Sequence, residues 1–190
     1  MREAALDLFS EKGFDRTTAA EIAEHAGVTE RTFFRHFSDK REVLFNEVEL
    51  GSKLSAAISE APVELGPIEV VVWAYQSLAS MFEENLPHAE RGQAVIAQTP
   101  ALQERQLAKA ASITGTIADA LRRRGINSLH ADLAAVTGMG VTGHGLQCWV
   151  RDPSLPLVEH FEQALQAFKA ISPSATKQTP RKKQKPAAEH

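Results

Sequence analysis

Apolar residues return at intervals of three and four along nearly the whole stretch before residue 172, whereas alternation at period two, bounded by turn residues, is almost absent. A chain with this pattern buries its apolar surface as helices, so the expected fold is all-α. Punctuation divides the pattern into about nine helices. Ala5, Leu8 and Phe9 form one stripe of a first helix, stopped by Gly13, which takes positive φ without a Cβ penalty. Thr18 and Glu21 have capping-box spacing, so each satisfies an orphan amide at the start of a second helix that runs to about His25. Gly27 breaks it, and Thr29 caps a third helix extending to about Phe37. Ser38 and Asp39 open a longer fourth through about Ser59. Beyond Pro62, Gly66 and Pro67, further helices are expected at about 67–86, 88–98, 101–124, 128–150 and 155–171.

Composition narrows the class. With 43% hydrophobic residues in 190, the chain has the material for a sizeable core. Cys148 is the single cysteine, which leaves no disulfide framework and no CxxC metal knuckle and fits a reducing compartment. No apolar run approaches the roughly 18 residues of a spanning helix, so no membrane partner is expected and a soluble cytosolic protein is. The seven histidines are scattered, with no metal-ligand spacing, and no cofactor is expected. Charge is uneven. Residues 172–190 carry Lys177, Arg181, Lys182, Lys183 and Lys185 against Glu189, a local balance of +4, while the whole chain stands at −3. Lacking large apolar residues, this basic tail is expected to be disordered, serving either as a solubilising terminus or as a hold on nearby phosphates.

The second helix, a three-residue turn centred on Gly27 and the third helix have the length and punctuation of a helix-turn-helix, whose second helix enters the DNA major groove. On a wheel of about 100° per residue, Phe33 and Phe37 point together into the core and Arg31 and Arg35 point away from it. Thr32 and His36 flank that outward face on one side, Glu30 and Phe34 on the other. Such a face offers donors to guanine edges and phosphate oxygens. The wheel alone is equally compatible with a solvated face that carries two arginines.

Ala4, Ala5, Leu8, Phe9, Gly13, Phe14, Thr17, Thr18, Glu21, Ile22, Ala23, Ala26, Gly27, Val28, then Thr32 to Phe37, Lys40, Val43 and Leu44 together resemble the N-terminal DNA-binding domain of the TetR family of bacterial transcriptional regulators. The resemblance covers roughly residues 1–48. The rest resembles the family in being all-helical and of suitable length, and looks most like the subgroup described as binding acyl-CoA-like ligands. The resemblance implies a helix-turn-helix domain at 1–48, with helix four bridging to about 60, and a helical effector-binding and dimerisation domain at 62–171. It implies a cytoplasmic, nucleoid-associated bacterial repressor that binds a palindromic double-stranded DNA operator as a homodimer and is released by a small, largely apolar effector. Thr18 would cap helix two beside a phosphate, and Thr29 would belong to the same DNA-facing set. Glu30, Arg31 and Phe34 would face bases or groove wall, Arg35 would share that outward face, and Thr32, His36 and Lys40 would touch the backbone. Where the family often has tyrosine the chain has Phe34, so a phosphate hydrogen bond is replaced by packing. Glu30 would accept from a cytosine amine or pair with Arg31 or Arg35. The chain reaches its first helix at Met1-Arg2, so these residues supply no basic arm for the minor groove.

Gly138, Gly140 and Gly143 have the spacing of a dinucleotide fingerprint, which makes a nucleotide-binding enzyme one alternative and a helical protein-interaction module another. The fingerprint needs a preceding strand and a parallel sheet, and neither is expected, so no enzyme is. Small residues here would let two helices approach closely or leave room for a ligand. Leu155, Val158, Phe161, Leu165 and Phe168 form a stripe on the last helix, expected at a dimer seam formed by the last two helices, with monomer core as the alternative. His144, Cys148 and Trp149 share a face, but no orienting acid makes a nucleophile of Cys148. An effector pocket would draw on Trp73, Met81, Phe82, Met139 and Trp149, with Gln98, Gln103, Arg105 and His144 as polar anchors.

Overall fold

In a computed structural model the described residues are 1–45 and 47–171, without the side chains of 47 and 48. The tail expected to be disordered lies outside them. Ten α-helices follow one another: α1 (Arg2–Lys12), α2 (Ala19–His25), α3 (Glu30–His36), α4 (Glu47–Glu60), α5 (Pro67–Gln76), α6 (Ala79–Glu84), α7 (Leu86–Ala97), α8 (Pro100–Arg123), α9 (Ser128–Arg151) and α10 (Leu157–Ile171). No strand occurs among the described residues, so the all-α expectation holds.

Two helices differ from the expected boundaries, each for a local reason. The fourth helix does not open at Ser38. Asp39 accepts from the amides of Arg41 (2.7 Å) and Glu42 (3.3 Å) and is gripped by the Arg41 guanidinium, so its side chain diverts the backbone into a turn. A single 3₁₀ turn, Glu42–Leu44, follows, and α4 starts only at Glu47. The helix expected at 67–86 is two helices. The hydroxyl of Ser77 donates to the Trp73 carbonyl at 2.9 Å, and the turn at 77–78 separates α5 from α6. Pro87 and Pro100 fall within the first turns of α7 and α8, where a missing N–H costs nothing.

Two hydrophobic clusters organise the packing. The larger gathers Leu54 and Ile58 of α4, Val70 and Val71 of α5, Ile117 and Leu121 of α8, Ala135 and Trp149 of α9, and Phe161 and Leu165 of α10. The smaller surrounds Phe33 with Leu6, Phe9, Ile22 and Leu44, and recruits Ile96 from α7 and Leu102 from α8. The first three helices are therefore seated on the body through shared core and through charge: Arg91 of α7 reaches Glu3 (2.5 Å) and Asp7 (2.6 Å) on α1.

Helix α9 packs against α5, α8 and α10. Two of its glycines explain how closely. A Cβ on Gly138 would lie 2.6 Å from the Val71 side chain, and one on Gly145 would lie 2.8 Å from the Phe161 ring. The glycine run thus sits inside a long helix, with no strand before it, and its close-approach role is the one realised at these two positions. The stripe on the last helix needs a correction as well. Phe161 and Leu165 are buried in the monomer core and Phe168 packs against it; only Leu155 and Val158 of that set are exposed. Within one chain α5 and α9 already cover most of this stripe.

Candidate nucleic-acid interface and effector cavity

The helix-turn-helix is built from local hydrogen bonds. The Thr18 hydroxyl accepts from the Glu21 amide (3.2 Å), and the Glu21 carboxylate accepts from the Thr18 amide (2.7 Å). Lys12 pairs with the same carboxylate. Its hydrogen bond, together with those from Thr18, holds the Glu21 carboxyl down to about 2. At the other end of α2, the Gly27 amide donates to Glu24 (3.0 Å) and the Val28 amide to Ala23 (2.9 Å), the Schellman pairing that requires left-handed backbone at Gly27, φ 69°. Thr29 then caps α3, its hydroxyl accepting from the Thr32 amide at 3.2 Å.

One side of α3 is fixed and the other is open. Phe33 is fully buried, with Phe37 packed 5.3 Å from it, ring centre to ring centre. On the far side Glu30, Arg31, Phe34, Arg35 and His36 are all exposed, as are Thr18 and Thr29, and Thr32 is half-buried. Phe34 leaves 50% of its surface in solvent, its ring T-shaped against Phe33 with centres 5.4 Å apart. Arg35 lies 3.5 Å from the His36 ring nitrogen. Glu30 forms no ion pair with Arg31 or Arg35 among the described residues, so the internal pairing expected for it is not realised.

Lys40 has partners within the fold. It lies in the turn before Glu42 rather than at the start of α4, and its ammonium donates to the carbonyls of Phe14 (2.8 Å), Asp15 (3.3 Å) and Thr17 (2.9 Å). It also lies 4.3 Å from the centre of the Phe14 ring. Three carbonyls take its three donors and the ring lies beside them, so Lys40 ties the α1–α2 loop to the chain leaving α3.

A cavity of about 400 Å³, within the usual range for small-molecule sites, opens where the two clusters meet. Leu44 and Phe45 contribute from the chain that follows α3, and Tyr75, Phe82, Ile113, Met139, Leu146 and Phe161 from the body. Burial raises the Tyr75 hydroxyl above its ordinary range, and that hydroxyl lies 2.9 Å from the Met139 sulfur. A second cavity of about 300 Å³ shares Arg2, Leu50, Phe82, Ala89 and Leu146 with the first and adds Met81 and Trp149. Of the expected pocket residues, Phe82, Met139, Met81 and Trp149 therefore do line cavities.

The other five line neither of these two. Trp73 packs against the larger cluster, and Gln98 is exposed at the end of α7. Gln103 donates to the Ala97 carbonyl, His144 faces solvent beside Cys148 at 3.5 Å, and Arg105 is paired with Glu42. The polar wall was missed by the sequence reading: Arg2, Gln93, Gln106, Lys109 and Thr142. Lys109 is only 6% exposed and its ammonium lies 3.0 Å from Glu42. Its place one turn after Arg105 on an amphipathic helix was the only signal available.

Comparison with known proteins agrees with this geometry. The family model for bacterial regulatory proteins of the tetR family matches residues 2–48, and the model for the MftR C-terminal domain matches residues 65–173, more than half of the chain. The HTH-type transcriptional regulator TcmR of Streptomyces glaucescens is 35% identical over 75 residues, 39% of this chain and 33% of that protein. MftR of Mycobacterium tuberculosis, whose name refers to transcriptional regulation of mycofactocin biosynthesis, is 26% identical over 162 residues, 83% of this chain and 81% of its own length. Among solved structures, Thermus thermophilus FadR in complex with lauroyl-CoA shares the fold with a TM-score of 0.52 at 20% identity, covering 95% of this chain and 96% of that one. The SmeT–triclosan complex does so with a TM-score of 0.55 at 22% identity, covering 90% of each. A helix-turn-helix with an open arginine face, seated on a helical body of the MftR type, places this chain in the TetR family of bacterial transcriptional regulators.

Proposed function

We propose that the protein is a dimeric repressor whose α3 reads a palindromic operator and whose cavity binds the effector that releases it. In this reading residues 1–48 form the DNA-reading domain, α4 bridges to about residue 60, and 62–171 bind effector and partner. The observation that carries it is the two-sided character of α3: a buried Phe33 fixes its register while Arg31, Phe34, Arg35 and His36 lie together in solvent. Arg31 and Arg35 would supply donors to guanine edges, Glu30 an acceptor for a cytosine amine, and Phe34 apolar contact with sugar or a thymine methyl. Thr18, Thr29, Thr32 and His36 would hold phosphates and set the register. Lys40 would support this surface from behind.

A two-fold partner would set two α3 helices about 34 Å apart, one turn of DNA. Leu129, Leu133 and Val136 share one side of α9 and are mostly exposed, and Val158 at the start of α10 is exposed as well; these suit a seam between two copies of the chain. FadR and SmeT, which share the fold, are bound to lauroyl-CoA and triclosan respectively, and a cavity lined chiefly by aromatic and aliphatic groups is consistent with a largely apolar effector here. Such a regulator would act in the bacterial cytoplasm, at the nucleoid. A nuclease footprint on DNA flanking its gene tests the reading: a protected palindrome is expected, and Arg31→Ala should weaken it by roughly 1 to 3 kcal/mol while sparing random DNA. Equal loss on specific and random sequences would remove Arg31 from the reading role.

A further inference from the structure

Residues 1–45 carry seven cations: Arg2, Lys12, Arg16, Arg31, Arg35, Lys40 and Arg41. Four are engaged within the fold. Lys12 pairs with Glu21, Arg41 with Asp39 and Lys40 with three carbonyls, and Arg2 is half-buried in the cavity wall. Arg16, Arg31 and Arg35 remain, each exposed and each without an ion pair among the described residues. Two of these stand on α3. Arg16 stands off it, in the loop that joins α1 to α2.

That loop is held from several sides. The buried Thr17 hydroxyl donates to the Gly13 carbonyl at 2.9 Å, and the Thr17 amide donates to the Phe14 carbonyl at 3.3 Å. Lys40 binds the carbonyls of Phe14, Asp15 and Thr17, so the loop lies against the chain that leaves α3. Arg16 is fixed in turn: its Nε donates to the Lys12 carbonyl at 2.7 Å, at the end of α1. One guanidinium N–H is used there, and those on the two Nη atoms have no acceptor among the described residues. An arginine tethered through Nε has less rotamer freedom to lose on binding, and its Nη edge matches a phosphate with parallel bonds.

We propose that Arg16 is a phosphate-binding residue, gripping the backbone of duplex DNA beside the groove that α3 enters. The inference rests on the DNA-binding reading above and adds to it a backbone contact from outside the two helices of the motif. In helix-turn-helix docking the first helix crosses the backbone while the second lies in the groove. Arg16 comes two residues before Thr18, the cap of α2, and Lys40 holds its loop against the exit of α3. The guanidinium is therefore carried at the corner where the start of α2 and the exit of α3 come together. The threonines assigned to phosphates are neutral, and Arg31 and Arg35 are assigned to bases, so a salt-dependent backbone contact calls for a further fixed cation. Arg16 is the exposed cation of the described reading helices left for it. Capping α1 alone uses only Nε. The adjacent carboxylate, Asp15, is exposed and forms no ion pair with Arg16, so it weakens the local field without closing the site.

Binding of the full chain to two duplexes, the palindrome protected in the footprint and a random sequence of equal length, tests this when followed by fluorescence anisotropy over a range of potassium chloride. Arg16→Gln should weaken both duplexes alike, roughly tenfold near 0.1 M salt, and shallow the salt slope by about 1. Arg16→Lys, which loses the Nε bond and keeps the charge, should restore the slope. Asp15→Asn should tighten both duplexes severalfold, and it carries the test with Arg16→Lys if Arg16→Gln does not give the wild-type helical spectrum. An unchanged slope in Arg16→Gln would overturn the proposal, as would an Arg16→Lys slope as shallow as that of Arg16→Gln, which would leave only the cap on α1. A loss confined to the palindrome would make Arg16 a reader of bases and overturn its backbone role. Tightening absent from Asp15→Asn would count against the site in the same way. Wild-type protein that binds neither duplex would overturn this proposal and the DNA-binding reading together, whereas wild-type binding with Arg16→Gln unaffected would overturn this proposal alone.

Discussion

At the scale of the residue, the helix-turn-helix depends on two charged side chains bonded within its own caps and loops. Glu21 is held down from the usual 4.5 to about 2 by Lys12 and by both donors of Thr18. A carboxyl whose folded value is depressed contributes stability above its unfolded value and loses it as pH falls toward the folded one. Acid titration followed by circular dichroism should therefore show the wild type weakening between pH 4.5 and about 2, and Glu21→Gln should flatten that portion. An identical slope in both would remove Glu21 from the acid response. Lys40 is the second. Removing its charge-assisted bonds to the Phe14 and Thr17 carbonyls, of which Phe14 keeps the Thr17 amide, means Lys40→Met should cost roughly 1 to 3 kcal/mol in urea unfolding. Arg31→Ala, whose side chain lies in solvent, should leave the same curve unmoved. Were Lys40→Met as stable as wild type and impaired only in DNA affinity, a direct phosphate contact would be restored to it.

At the scale of the element, α9 shows why a glycine motif read along the sequence says little until its neighbours are known. The same residue type does two things there. Gly138 and Gly145 admit Val71 and Phe161, whereas Gly143 lines the cavity and a Cβ there meets nothing within 4 Å. Gly138→Ala should destabilise by about 1 to 3 kcal/mol through overpacking. Gly143→Ala should be neutral or stabilise by up to about 1 kcal/mol, because helix propensity improves with no clash, and thermal melts of the two variants separate the cases. Two melts shifted in the same direction would contradict these roles. The expected helix boundaries failed at α4 and α5 for a similar reason. Periodicity sees the apolar face, but the stops were set by polar side chains, Asp39 and Ser77, bonding to nearby backbone.

At the scale of the whole molecule, the charge distribution and the proposed two-fold seam set what operator binding would look like. Residues 1–50 carry 7 basic and 11 acidic residues, so affinity has to come from where the charges stand rather than from their sum. Arg31 and Arg35 stand on the open side of α3, while Glu3, Asp7 and Glu42 are turned to Arg91, Arg105 and Lys109 in the body. Three carboxylates of the reading half are thus turned to the body at the junction, while Glu30 stays on the open side of α3. If α9 forms the two-fold seam, placing a charge at Leu133, 58% exposed in the monomer, should give a folded monomer by sedimentation with operator affinity down by tenfold or more. A Leu133→Glu protein that remains dimeric would move the seam elsewhere.

Local rules were enough for the all-helical class, the Thr18 and Thr29 caps, the Gly27 turn and the two faces of α3, because every determinant lies within about one helical turn of the group it acts on. Thr18 and Glu21 are three apart, and so are Thr29 and Thr32. The tertiary structure alone decided the rest. Lys40 meets a carbonyl 26 positions away, Glu42 meets Lys109 at a separation of 67, and the apolar stripe of α10 is divided between core and surface by α5 and α9. Hydrogen-bonded caps are written in neighbouring residues, whereas a buried ion pair, a cavity wall and a helix crossing exist only once distant segments have been brought into contact.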